Sequence, residues 1–249
     1  MKAVLLCAGF ATRLYPLTQE QPKSLLPIAG QPLLNYLLKL LEGLPSLTRI
    51  FLVSNHKFYS LFSRWADRAR GTQRITVLDD GIADHRHRLG PVRDLKIALD
   101  QEGAHEDVLV LAGDNLIDSE LAGFLSFAKS KRPAPSVGVW DVQDREAAKK
   151  YGLVETDASG KITAFFEKPM DPPTTLASMG LYFFPSQTLV FVNRYLETSA
   201  NSDALGHYVS WLARQMQVFT FPFQGAWFDI GDLESYRLAD QYVQKKAKR

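Results

Sequence analysis

The sequence predicts an α/β fold, in which a mostly parallel sheet carries helices on both faces. Short apolar runs alternate with segments whose apolar residues recur every three or four positions, as far as about residue 143. The 249 residues suffice for one large domain or two small ones, and no Gly/Ser-rich linker divides them. Ligands of such sheets bind beyond the carboxyl ends of the strands. The residues that follow each strand are therefore the first candidates for a functional site.

The predicted elements follow the chain in order. In the first part, strands are predicted at residues 3–7, 49–54, 74–78, 108–112 and 137–141, and helices at 33–41, 58–70, 92–99 and 121–130. From about residue 144 the pattern changes to a hairpin, 153–156 with 162–166, closed by the polar turn 157–160. A strand at 178–184, helices at 187–196 and 205–216, a strand at 218–221 and a last helix from 233 complete the prediction. This second part is interpreted as a lobe packed against the first.

Composition and charge exclude several classes of function. The net charge is only +2 and the basic residues are scattered, so no nucleic-acid surface is predicted. No apolar run approaches membrane-spanning length and no signal peptide is expected, so we predict no membrane partner. The single cysteine, Cys7, lies in the first strand, where it is interpreted as a small core residue. A cytoplasmic location is expected because a single cysteine forms no internal disulfide.

An anion-binding turn is predicted directly after the first strand. The turn from Ala8 to Thr12 consists of small residues apart from Phe10, and it exposes backbone N–H groups that can surround phosphate oxygens. Two cations, Arg13 and Lys23, follow in a proline-rich context and can neutralise the charge of those phosphates. Together these features favour a grip on a nucleoside triphosphate, and hence an enzyme.

These motifs resemble the signature of the sugar-1-phosphate nucleotidylyltransferases, the family of glucose-1-phosphate thymidylyl- and uridylyltransferases. The matching residues are Ala8, Gly9, Thr12, Arg13, Leu14, Pro16, Leu17, Thr18, Pro22, Lys23, Leu25 and Pro27. The resemblance implies a Rossmann-like fold of the nucleotide-diphospho-sugar transferase type, with a smaller sugar-binding lobe. It also implies Mg²⁺-dependent transfer of a nucleoside monophosphate from an NTP to a sugar 1-phosphate, with release of pyrophosphate. One position departs from the pattern: Ala11 stands where the family usually has a glycine, which would allow positive φ or close approach to phosphate.

The same resemblance implies the roles of individual residues. Phosphoryl-type transfer needs cations on the phosphates and oxygen ligands for Mg²⁺. The implied catalytic residues are Arg13, Lys23 and Lys168, and the implied metal ligands are Asp114 and Asp229. The implied nucleotide-binding residues are Ala8, Gly9, Ala11, Thr12, Arg13, Lys23, Gly90 and Asp114, and the implied acceptor-binding residues are Tyr151, Gly152, Glu167, Lys168 and Tyr182.

Each assignment has a simpler alternative at the level of sequence. Asp114 could cap a helix, and Asp232 is expected to cap the last helix. Tyr182 could be a core residue, and Glu167 with Lys168 could form a charged turn closed by proline. The segment 85–88, His-Arg-His-Arg, is interpreted as a mobile loop rather than a metal site.

The whole chain, 1–249, is predicted to be one nucleotidyltransferase domain, with a nucleotide-binding part over about 1–143 and an acceptor-binding part over about 144–249. It lacks the hexapeptide repeats of a C-terminal β-helix. The base-reading positions match the family poorly, because Asp79 or Asp80 replaces a glutamine, and a hydrogen-bond acceptor there would suit the amino group of cytosine.

The sequence does not determine which base or which sugar is used. It also leaves open whether the chain forms a homo-oligomer. One alternative function is cytidylyl transfer to a non-sugar phosphate or phosphonate such as phosphocholine. Another is a non-catalytic nucleotide-binding or regulatory relative of the family. The joint presence of Arg13, Lys23, Asp114, Lys168 and Asp229 argues against that second alternative.

Overall fold

The computed structural model describes residues 1–69, 74–101, 105–198 and 201–248. Its strands are β1 (Lys2–Leu6), β2 (Pro27–Ile28), β3 (Gln31–Pro32), β4 (Arg49–Ser54), β5 (Arg74–Asp79), β6 (Val108–Ala112), β7 (Asn115–Asp118), β8 (Ser136–Asp141), β9 (Gly152–Thr156), β10 (Ile162–Glu167), β11 (Leu176–Phe184), β12 (Phe219–Pro222) and β13 (Ala226–Asp229). Its helices are α1 (Leu33–Glu42), α2 (Tyr59–Arg68), α3 (Pro91–Asp100), α4 (Ala122–Ser130), α5 (Arg145–Ala148), α6 (Val190–Thr198), α7 (Leu205–Gln215) and α8 (Leu233–Ala247). Short 3₁₀ turns connect several of them.

One large mixed sheet organises the molecule. Its strands run in the order β10-β9-β11-β6-β1-β4-β5, and β8 pairs with both β11 and β12. The strands β6, β1, β4 and β5 are parallel neighbours, whereas β11 joins this group antiparallel to β6. The carboxyl ends of β1, β4, β5 and β6 therefore meet at one edge, as the predicted α/β fold requires. A second, small sheet pairs β7 with β13.

Two buried clusters cover the two faces of the sheet. Strand side chains alternate between them: Ala3 and Leu5 of β1 face one cluster, and Val4 faces the other. Helix α1 buries Leu34, Leu37, Leu38 and Leu41 in the first cluster, a spacing of three and four residues that places them on one helix face. This burial on both faces explains why these strands read as continuous apolar runs.

The predicted elements are present, with end shifts of a few residues. Helix α2 ends at Arg68, and Arg70, the last residue of the predicted helix 58–70, lies outside the described residues. The predicted helix 187–196 is a 3₁₀ turn, Ser186–Thr188, followed by α6. Strands β2, β3, β7 and β13 and the short helix α5 were not predicted.

Among the described residues, no helix has the length and apolar character needed to cross a bilayer.

Candidate active site

A cleft of about 360 Å³ opens at the carboxyl edge of the parallel strands. It extends from the start of α3, across the ends of β1 and β6, to the antiparallel strands β9, β10 and β11. Among the residues expected to form a site, those that line it are Ala8, Gly9, Gly90, Asp114, Tyr151, Gly152, Glu167, Lys168, Tyr182 and Asp229. The other four, Ala11, Thr12, Arg13 and Lys23, belong to the two loop segments that follow β1.

The loop after β1 is held by buried polar contacts. The amide Nδ2 of Asn55 donates to the Ala8 carbonyl oxygen at 2.9 Å, and the Thr18 hydroxyl donates to the Ala11 carbonyl oxygen at 2.7 Å. Both side chains are fully buried. Ala11 adopts the left-handed conformation, with φ 50° and ψ 44°, and begins the 3₁₀ turn that carries Arg13. The glycine-like conformation expected at this position is thus present without a glycine.

Three charged side chains converge beside this loop. The Lys23 ammonium lies 2.5 Å from Oδ2 of Asp114, in the turn between β6 and β7. Asp229 is brought close to Asp114 because β13 pairs with β7 so that Asp229 lies opposite Asn115, and the Ile230 amide donates to the Asp114 carbonyl oxygen at 3.0 Å. The sequence separates these two aspartates by more than a hundred positions, and the small sheet joins them.

The small sheet is itself fixed by one buried side-chain contact. The indole N–H of Trp227 donates to Oδ1 of Asn115 at 2.9 Å, and Nδ2 of Asn115 donates to the Met179 carbonyl oxygen at 2.7 Å. Asn115 is only 3% exposed, so both ends of its amide are satisfied away from water. The sequence assigned no role to Asn115 or Trp227, although Asn115 directly follows Asp114, and Trp227 lies two residues before Asp229.

The electrostatics of the cluster distinguish the two aspartates. Burial and the neighbouring Asp114 carboxylate raise the pKa of Asp229 to about 6, against the attraction of Lys23, Arg13 and Lys168. Arg13 also lies close to the segment that follows Asp229, since a Cβ on Gly231 would lie 3.2 Å from the Nη2 atom of Arg13. The arrangement collects positive charge around two carboxylates at the centre of the cleft.

The opposite end of the cleft is built by β9 and β10. The Lys168 amide donates to the Tyr151 carbonyl oxygen at 3.1 Å, and its ammonium lies 3.8 Å from Oε1 of Glu167. The start of α7 closes against this end, because a Cβ on Gly206 would lie 2.5 Å from Oε2 of Glu167. Tyr182 lines the floor but is 4% exposed, and burial raises its pKa to about 12.

The structure settles the capping alternatives. Asp114 does not cap a helix, because strand β7 begins at the next residue; that alternative is wrong. Asp232 does cap α8, in a reciprocal capping box with Ser235, as expected. The segment His85–His87 forms a 3₁₀ turn, and Asp84 precedes it and accepts from the Arg86 amide.

Four further features of the cleft were not identified from the sequence. They are Asp94 of α3, Lys150 before β9, Phe165 of β10 and the segment 203–206, which includes the first two residues of α7. No motif marks them, because each is brought to the cleft by the packing of distant segments.

Comparisons with known proteins place this geometry in context. Residues 2–246 match the family model described as nucleotidyl transferase. The UTP–glucose-1-phosphate uridylyltransferase AglF of Haloferax volcanii is 31% identical over 184 residues, which cover 74% of this chain and 72% of that protein. The bifunctional protein GlmU of Methanocaldococcus jannaschii is 26% identical over 99% of this chain, which spans only 55% of that protein's length. A solved structure of UDP-glucose pyrophosphorylase complexed with UDP-glucose matches with a TM-score of 0.80 at 21% identity, over 98% of both chains, and supports the fold.

Proposed function

Since the chain belongs to the nucleotidyl transferase family, we propose that it transfers a nucleoside monophosphate from an NTP to a sugar 1-phosphate. In this reaction a phosphate oxygen of the acceptor forms a bond to the α-phosphorus of the NTP. The bond between that phosphorus and the bridging oxygen of the β-phosphate breaks, and pyrophosphate leaves with the electron pair. A phosphate monoester is already largely a dianion near neutral pH, so the chain needs no general base.

The observation that carries this proposal is the charge arrangement at the centre of the cleft. Two highly anionic substrates must approach each other, and catalysis of such transfers consists mostly of positioning and charge stabilisation. Arg13 and Lys23 stand on the side of the loop after β1, where exposed N–H groups can take phosphate oxygens. Lys168 stands across the cleft, and its attraction for Asp229 places its charge within range of the same centre. We assign Arg13 and Lys23 to the triphosphate and Lys168 to the acceptor phosphate.

The pair Asp114 and Asp229 suits Mg²⁺. The two carboxylates are close enough for the charge of Asp114 to raise the pKa of Asp229, a repulsion that a divalent cation relieves. No cluster of three metal-binding side chains occurs within the described ranges. A two-carboxylate site still fits Mg²⁺, which retains waters and takes phosphate oxygens as further ligands. When bound there, the ion would polarise the α-phosphate.

Lys23 holds Asp114 in place before any ligand arrives. Its side chain is 15% exposed, and its ammonium is bonded to a carboxylate that the metal would need. Arrival of a triphosphate offers Lys23 new anionic partners and frees Asp114 for the cation. The lysine thus exchanges one partner for another as the substrate enters.

The acceptor end of the cleft has features suited to a sugar. Glu167 offers a carboxylate for sugar hydroxyls, and close packing at Gly152 and Gly206 narrows the space around it. Tyr151, Phe165 and Trp227 supply aromatic faces at the same end, with the Tyr151 and Trp227 rings 5.0 Å apart. Such faces also attract a quaternary ammonium group, so phosphocholine is the second acceptor to be tested. In this scheme residues 1–143 bind the nucleotide and 144–249 the acceptor, in a cytoplasmic enzyme.

The proposal is tested by pyrophosphate release from purified protein with Mg²⁺. Five NTPs, dTTP included, are combined with hexose 1-phosphates and with phosphocholine. Release that depends on one acceptor and one NTP supports the transfer and names both substrates. NTP binding without release for any acceptor in the grid would contradict the proposed reaction and favour a binding or regulatory role. Asp100→Asn, at the exposed end of α3, serves as a control variant for the site substitutions because it lies outside the cleft.

A further inference from the structure

An unpaired carboxyl group lies at the nucleotide-binding end of the cleft. Asp94, in the first turn of α3, is only 6% exposed, yet it belongs to the cleft lining. Its Oδ1 atom has no hydrogen-bond partner within the part of the chain that the structure describes. A buried polar atom without a partner destabilises the folded state, and none of the steps proposed above uses it.

Backbone packing explains how this carboxyl group reaches the cleft. Gly90 precedes α3 with φ 85°, and a Cβ there would lie 2.1 Å from the Ser202 carbonyl oxygen. The Ser202 hydroxyl donates to the Leu89 carbonyl oxygen at 2.5 Å, so the segment before α7 is fastened to the start of α3. Pro91 then begins the helix and also lines the cleft. Asp94 follows in the first turn of this helix.

A second carboxyl group faces the same space. Asp80 follows β5, its amide donates to the Ser54 carbonyl oxygen at 2.9 Å, and its side chain lines the cleft. Burial, with a smaller contribution from the Asp80 charge, raises the pKa of Asp94 to about 8. Asp79, by contrast, is held by His56 at 2.7 Å and is not part of the lining.

The surroundings of these two carboxyl groups suit a flat, uncharged ring. Leu6, Ala8, Leu89 and Pro91 supply apolar cleft surface between the end of β1 and the start of α3. Carboxylates repel phosphates, so the triphosphate belongs with Arg13 and Lys23 and not here. The part of an NTP that remains for this end is the base with its ribose.

We infer that Asp94 and Asp80 read the base of the NTP, and that they select a base with an exocyclic amino group over uracil or thymine. The inference rests on the proposed function, because it concerns the nucleotide of that same site. Cytosine, adenine and guanine each present an amino group with two N–H donors, whereas uracil and thymine present carbonyl oxygens at the corresponding edges. An ionised carboxylate only accepts hydrogen bonds, whereas the neutral form that Asp94 has below its pKa of about 8 adds a single O–H donor.

An amino group can donate one N–H to each carboxyl group: to Oδ1 of Asp94, which has no partner among the described residues, and to Asp80, whose Oδ1 already accepts from the Ile82 amide at 2.7 Å. A carbonyl oxygen in the same place takes at most one proton, from whichever carboxyl group is protonated, and faces lone pairs on the other. Sites that hydrogen-bond a substrate donor reject analogues that lack it, because buried acceptors are then left unpaired. Discrimination by a factor of about 100 or more is therefore expected.

The test measures binding and turnover separately. Calorimetric titration of the purified protein with CTP, ATP, GTP, UTP and dTTP gives the binding preference, and pyrophosphate release with the acceptor grid gives kcat/KM. We expect one of the three amino-bearing NTPs to exceed both UTP and dTTP by about 100-fold in each measurement. UTP or dTTP binding as tightly as the best of the others would overturn the inference while leaving nucleotidyl transfer intact. If the protein prefers amino-bearing NTPs in binding but releases no pyrophosphate with any acceptor, the inference is supported and the proposed reaction is contradicted. If no NTP binds, both are overturned.

Two variants test the residues themselves. Asp94→Asn and Asp80→Asn each introduce an amide that can donate to a carbonyl oxygen, so each should narrow the preference over UTP by about tenfold or more. Asp100→Asn, on the same helix but exposed, should leave the preference unchanged. If the Asp94 and Asp80 variants keep the wild-type base preference and instead change the ratio of CTP to dCTP, the carboxyl groups read the ribose, and the inference is wrong.

Discussion

Asp94→Asn should stabilise the protein increasingly as the pH rises. Burial raises the pKa of Asp94 from 3.8 to about 8. The folded state therefore binds a proton that the unfolded state releases between these two pH values, so the unfolding free energy of the wild type falls across this range. At about 1.4 kcal/mol per pKa unit, the loss reaches about 4 kcal/mol at pH 7 and about 6 kcal/mol above pH 8. Asparagine carries no such titration.

Urea unfolding followed by circular dichroism measures this effect. Between pH 5 and pH 8, the unfolding free energy of Asp94→Asn relative to wild type should increase by about 3 to 4 kcal/mol. A constant offset from the amide itself does not affect this comparison, because only the change with pH is used. Asp100→Asn, at an exposed position, should follow the wild-type profile. Parallel profiles for Asp94→Asn and wild type would refute the argument that this carboxyl group is buried without a partner.

Four further substitutions, one of them with a matched control, address the site and its supports. Asp114→Asn and Asp229→Asn should each lower the rate of pyrophosphate release by a factor on the order of 100 to 1,000. Each should also weaken the binding of Mn²⁺, measured by electron paramagnetic resonance titration. Retained turnover in either variant would contradict the assignment of these aspartates as metal ligands. Gly90→Ala should lower the unfolding free energy, measured in urea, by about 2 kcal/mol or more. Gly90 has a positive φ, and a Cβ there would lie 2.1 Å from the Ser202 carbonyl oxygen. The control Gly43→Ala, at φ −71°, should change the unfolding free energy by less than about 1 kcal/mol. Ala11→Gly should raise the melting temperature slightly, since left-handed backbone costs an alanine about 1 kcal/mol, and a lower melting temperature would show that the conformation at φ 50° is unstrained.

Local pattern was sufficient to predict most of the large sheet. Strands such as β1 and β4 are buried on both faces, so their apolar runs and their bounds coincide within a residue or two. The pair β7 and β13 was missed because each has only four residues and neither alternates clearly. Their pairing depends on contacts between segments far apart in sequence, which single-sequence periodicity does not report.

The residues of the candidate site likewise fall into those that a sequence motif indicated and those that only the folded structure brings together. Motifs with several fixed positions indicated Arg13, Lys23 and Asp229, and the structure brings these segments to one cleft. Asp94 carries no such signal, since a lone aspartate near the start of a helix is typical of an exposed position. It is buried in the fold, beside a start of α3 that the Ser202 hydroxyl joins to a segment more than a hundred residues away.

Unfavourable local features are concentrated around this cleft. Ala11 and Lys168 adopt left-handed backbone, Asp94 is buried with an unpaired oxygen, and burial raises the pKa of Asp229. Each feature lowers the stability of the empty protein, and none is needed to close the core, which is apolar and well covered on both faces of the sheet. Features that lower the stability of a folded protein are typical of sites where a bound ligand removes the unfavourable interaction. The phosphates, metal and base of a bound NTP are complementary to these charged groups. Binding therefore removes the interactions that lower the unfolding free energy, and their removal contributes to the free energy of binding. Nucleotide should therefore stabilise the fold most in the wild type and less in Asp94→Asn, although that variant is the more stable protein when empty.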